Sequence, residues 1–152
     1  MAVGKTHVAV GVFAAIAMMM AGQPHAAISC HKINARGVGQ DLGAGVTTAT
    51  IIGGGLLHGT TLGTFVITGV SGTVASFEGT VTFTTNQATL TISVIGALDV
   101  ATGEFSASGP VTAATGKLAG ASGSLSLSGL QDLAAGTFVE DVTGEICVEL
   151  AP

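Results

Sequence analysis

The chain contains no tryptophan, no tyrosine, only four lysines and arginines, three prolines and two cysteines in 152 residues. Each shortage closes off a class of function. A transmembrane β-barrel carries aromatic girdles at both membrane interfaces, and the missing Trp and Tyr argue against one. Nucleic-acid binding needs Lys and Arg to neutralise phosphates, so nucleic acid is not an expected partner. Charged residues make up 9% and hydrophobic residues 47%, which is too apolar for a disordered chain. The 24 glycines follow no G-X-Y period, which excludes collagen.

Motifs of chemistry are equally scarce. There is no G-x-S-x-G nucleophile turn. Gly37–Gly43 (GVGQDLG) misses the dinucleotide spacing and precedes no helix. Asp41 and Asp99 stand in no calcium-loop pattern. Outside the N-terminal segment the histidines are His31 and His58, without the paired spacing of a zinc site. They read as surface or turn residues, and a ligand or base role for His58 is the sharper alternative. No metal or cofactor is expected.

What is present begins with a leader. Lys5 supplies a small positive region, Val8–Ala21 (VAVGVFAAIAMMMA) an apolar core, and Ala27 a cleavage point. The apolar run is short for a bilayer, so residues 1–27 read as a signal peptide rather than a membrane helix. His25 stands where a small residue is usual. Cleavage leaves residues 28–152 as one domain, with no membrane-spanning helix, in a secreted or periplasmic location. Lys32, Arg36 and Lys117 then face nine acids, a net charge of −6. Cys30 and Cys147 lie near the two mature ends, and in an oxidising compartment they are expected to pair. Such a bridge stabilises by about 4–5 kcal/mol at most in the chain-entropy view. The alternatives are a pair of free thiols or an acylated Cys30, though the preceding AIS lacks the large aliphatic residue usual before an acylated cysteine.

The mature chain alternates apolar and small polar residues between glycines, a strand composition. Ile28–Ile33 reads as a short strand and the rest of 28–45 as loop. Val46–Ile52 ends at Gly53-Gly54-Gly55, and Thr61–Val70 follows. Thr73–Thr85 gives the clearest alternation, with Ala75, Phe77, Val81 and Phe83 on one face. Asn86-Gln87 turns it into Thr89–Val100. Gly103–Gly129 reads as two strands, Glu104–Thr112 and Ser124–Leu130, with Pro110 marking an edge, a bulge or a strand end. Thr137–Leu150 is the last strand and the most acidic. Seven or eight strands at hairpin spacing, without a helix, predict an all-β barrel or sandwich. Interior glycines favour a small, strongly curved antiparallel barrel of about eight strands.

Within this pattern Val111–Gly123 (VTAATGKLAGASG) resembles a signature of the allene oxide cyclase and dirigent-like β-barrel superfamily. Thr115-Gly116, Ala121 and Gly123 match it, and GEFSASGPV before and GSLSLSG after resemble the flanking strands. Ala113-Ala114 replace two glycines, Leu118 replaces a phenylalanine, and the motif's arginine is missing. The resemblance covers Thr61–Leu150. It implies a bacterial secreted relative with an eight-stranded barrel, a central cavity for a small apolar molecule, and assembly as a homo-oligomer, often a trimer. The family's catalytic tyrosines and arginines have no counterpart here, so its activity is not carried over.

One residue breaks the pattern. On the last strand Glu140 shares its parity with Phe138, Val142, Ile146 and Val148. Strict alternation puts its carboxylate on the apolar face, where a raised pKa would suit an acid or base. Lone buried carboxylates are uncommon, which favours a bulge at Val139–Glu140, or a strand that starts later, with Glu140 in solvent. Three functions follow as expectations. The first is a barrel binding a small apolar molecule among Phe77, Phe83, Phe105 and Phe138. The second is a structural or surface interaction protein. The third is an isomerase or cyclase of the allene oxide cyclase type, with Glu140 as its catalytic residue.

Overall fold

The structure is a computed structural model that describes residues 26–150. Eight antiparallel strands close into one barrel, each bonded to its neighbours in sequence and the last to the first. They are β1 (Ala27–Gly43), β2 (Val46–Gly53), β3 (Gly59–Ser71), β4 (Val74–Thr84), β5 (Ala88–Asp99), β6 (Glu104–Gly116), β7 (Ser122–Asp132) and β8 (Thr137–Leu150). A single 3₁₀ turn, Gly55–Leu57, joins β2 to β3. The eight-stranded antiparallel barrel expected from the alternation is therefore present. The signal segment lies outside the described residues except for Ala26 and Ala27. Among the described residues no helix is long and apolar enough to cross a membrane.

The pleat sends alternate side chains inward. Leu90, Ile92 and Val94 of β5, Leu125 and Leu127 of β7, and Val142 and Ile146 of β8 are buried. The intervening outward positions are polar: Thr91 and Ser93 on β5, Ser126 on β7, and Thr143 and Glu145 on β8. Cross-strand threonine pairs, Thr64–Thr80 at 3.0 Å and Thr82–Thr91 at 2.9 Å, bond on the outer surface.

One strand expectation changes. Residues 34–43 are not loop but the second half of β1, which pairs with β8 from Ala27↔Leu150 to Gln40↔Thr137. Its inward positions are Ile33, Ala35, Gly37 and Gly39, so glycine hides the apolar alternation. The neighbouring strand fills the missing volume. A β-carbon at Gly39 would come within 2.3 Å of the Phe138 ring, and one at Gly37 within 2.7 Å of the Glu140 side chain. Pro110 lies inside β6, beside the register shift where Thr91↔Ala113 gives way to Ile92↔Val111, so of its three expected placements the irregularity is the one that holds. It pairs with Ser124 of β7, while the β5–β6 register is unpaired between Ile92↔Val111 and Ile95↔Ser108. A residue without an N–H is tolerated at such a gap.

Up-and-down order gives the barrel two distinct ends. The turns after β2, β4 and β6 gather at one end, the base, where Leu57 and Leu118 are buried as plugs. Phe83, Ile51, Leu90, Ile92 and Ile146 fill this half completely. The turns after β1, β3, β5 and β7 surround the other end, the mouth. Here the interior is only partly filled.

Candidate functional site

The mouth half encloses a cavity of about 480 Å³, lined mainly by apolar side chains. Phe65, Phe77, Phe105 and Phe138 form its walls, with Leu98 level with Phe105 near the mouth and Val81, Ala107 and Leu127 also in the lining. The rings meet edge to face in two pairs: Phe65–Phe77 at 5.2 Å between centroids and Phe105–Phe138 at 5.9 Å. In the first pair each ring lies over a glycine of the next strand. A β-carbon at Gly79 would strike Phe65 at 2.7 Å, and one at Gly96 would strike Phe77 at 2.6 Å. Some of the strand glycines thus serve the aromatic walls. Asp41 and Gln131 stand at the opening, joined by a Gln131 Nε2 to Asp41 Oδ2 hydrogen bond of 3.1 Å. Asp41 also accepts from the backbone N–H of Gly43 at 2.8 Å, which holds the β1–β2 turn.

Glu140 projects into this cavity. The bulge considered at Val139–Glu140 does not form, and β8 continues in register from Thr137 past Glu140 against both neighbours. Glu140 pairs with Gly37 on one side and Gly129 on the other, so its side chain lies over bare backbone. Only 7% of the residue is exposed. No ion pair reaches it, since the one surface salt bridge among the described residues joins Arg36 to Asp141 at 3.8 Å. Burial without compensation pushes its carboxyl up from the usual 4.5 to about 7. Among the described residues no fully enclosed side-chain polar atom lacks a partner, so the Glu140 oxygens still reach the cavity space. The group can therefore donate or accept a proton near neutral pH, or pair with a polar group brought by a guest.

Of the four phenylalanines expected at a cavity, Phe77, Phe105 and Phe138 line it. Phe83 does not; it is fully buried in the filled base half. It shares the parity of Phe77 but lies near the other end of β4, beyond the reach of the hollow. Phe65 was missed from the set. Its signal was available, because Thr61, Gly63, Phe65 and Ile67 share one parity, but two small residues obscured that face. Asp41 and Gln131 carried no sequence signal at all, since turn positions do not announce where they meet.

Cys30 and Cys147 face each other across β1 and β8 and are joined as a disulfide, with 3.9 Å between α-carbons. The sulfur that an acyl group would need is therefore engaged. Glu145 lies beside this pair, yet both sulfurs are bonded to each other and offer no thiolate to a metal. His31 and His58 both border a shallow depression at the base, with Lys117. His31 shares a 3.1 Å hydrogen bond with Ser29, and His58 is exposed after the 3₁₀ turn. Neither approaches the cavity.

Comparison with known proteins finds no family model, no curated protein and no solved structure that matches the chain.

Proposed function

We propose that this protein is a secreted or periplasmic barrel that binds a small, largely apolar molecule in the mouth half of its interior. The observation that carries this reading is the contrast between the two halves. The same barrel is filled with side chains at the base and left hollow at the mouth, where four phenylalanines and one carboxyl group converge. Ligand sites are typically concave and apolar with few polar groups, in the size range of roughly 300–1,000 Å³. The disulfide supports an oxidising compartment, in keeping with the leader read in the sequence. The resemblance to allene oxide cyclase and dirigent-like barrels supports the same use of the interior.

The test is saturable binding of a neutral apolar fluorescent reporter such as N-phenyl-1-naphthylamine. One reporter per chain is expected, with binding abolished by Ala107→Phe, which fills the cavity from its wall. Absence of saturable binding, or equal binding to Ala107→Phe, contradicts the proposal.

Two other readings each draw on one observation. A cyclase or isomerase would use Glu140 as acid or base inside the cavity. A surface interaction protein would use the outward row Val38, Val139 and Leu130, which runs unbroken across β1, β8 and β7 and is roughly half exposed.

A further inference from the structure

We propose that the guest of this cavity is a cation, a small apolar amine whose ammonium group pairs with the Glu140 carboxylate between the phenylalanine rings. This inference rests on the ligand-binding reading above and specifies its chemistry. Three separate observations point the same way.

The first is the missing partner. Glu140 is buried, faces open cavity space, and receives no hydrogen bond or ion pair among the described residues. A lone buried carboxylate is costly, and pairing with an opposite charge that it also hydrogen-bonds is the arrangement that offsets the cost. Among the described residues no Lys, Arg or His lines the cavity to supply that charge. The second observation is aromatic. Phe65, Phe77, Phe105 and Phe138 surround the space beside Glu140, and the faces of such rings attract ammonium groups. The third is the sign of the entrance. Asp41 is in the lining, and Asp99, Glu104 and Asp132 stand at the ends of the mouth strands. The three lysines and arginines among the described residues lie elsewhere, Lys32 and Lys117 toward the base and Arg36 on the outer wall beside Asp141. Fields of one sign over a low-dielectric cleft concentrate ions of the other sign. A carboxylate guest would meet repulsion at the rim and a second acid inside. A neutral guest would use the rings but gain nothing from either charge.

Proton balance fixes the pH dependence. An alkylamine stays protonated at neutral pH, as a lysine side chain does. When it binds below the Glu140 midpoint of about 7, the carboxyl must release its proton to solvent. Amine affinity therefore falls as the pH is lowered, and alcohol affinity does not.

The experiment is competition against N-phenyl-1-naphthylamine by three probes of one chain length: n-octylammonium, n-octanol and n-octanoate. At about pH 7.5 the wild type is expected to bind octylammonium about tenfold or more tighter than octanol, and octanoate weakest. Lowering the pH to about 6 is expected to weaken octylammonium by about tenfold and leave octanol unchanged. In Glu140→Gln the octanol affinity persists, which shows that the cavity is intact, and the preference for the amine disappears. An amine bound no better than octanol, or a preference that survives Glu140→Gln, overturns the inference and leaves the apolar cavity standing. Failure of both the reporter and octanol to bind overturns the cavity reading and this inference with it.

Discussion

At the scale of the residue, Glu140 is where local pattern and usual residue preference disagree, and pattern prevails. A bulge would have returned the carboxyl to water, but β8 keeps its register because Phe138 on the mouth side and Val142 on the base side both need the interior. The energetic consequence is measurable. In the folded chain the carboxyl keeps its proton up to about pH 7, whereas the unfolded chain releases it near the ordinary 4.5. Between those values the folded state binds more protons, so stability falls as pH rises. The group's contribution is whole below 4.5 and lost through about 7. Denaturant titrations of wild type and Glu140→Gln isolate it. The difference between the two is expected to change by about 3 kcal/mol from pH 4.5 to pH 8, in favour of the variant at the higher pH. Parallel curves across this range would show that Glu140 is solvated.

At the scale of the element, β1 explains both what the sequence disclosed and what it concealed. Strands β4, β5, β7 and β8 were legible because their inward positions hold Phe, Leu, Ile and Val, an alternation visible in one dimension. The second half of β1 was not legible, since two of its inward residues are Gly37 and Gly39. Their volume is supplied by Glu140 and Phe138 of β8, far later in the chain. The cavity walls were half legible for the same reason. Parity tells which way a phenylalanine faces, but not its height in the barrel, so Phe83 was grouped with residues of the other half. The exchange between β1 and β8 is testable at Gly37. A β-carbon there would meet Cγ and Oε1 of Glu140 at 2.7 Å and Cδ1 of Ile51 at 3.1 Å. Gly37→Ala is expected to displace the carboxyl and to destabilise the protein by about 1–3 kcal/mol, read in urea unfolding. Combining it with Glu140→Ala, which vacates the space, should recover most of that loss. Additive effects would mean that the two residues do not touch.

At the scale of the whole molecule, closure and hollowness have different sources. Closure comes from the long β1–β8 ladder and the Cys30–Cys147 bridge that locks the first strand to the last at the base end. With the seam fixed there and the base packed solid, the mouth can stay open without leaving a strand edge exposed. The molecule is thus divided into a stabilising half and a half with space to receive a guest, and Glu140 is the polar group of the second half. The most direct test of this division is a ¹³C NMR titration of the Glu140 side-chain carboxyl, assigned by its loss in Glu140→Gln. A single midpoint near 7 is expected for the free protein. A midpoint near the ordinary 4.5 would place the carboxyl in water and contradict the inward-facing site on which the account depends.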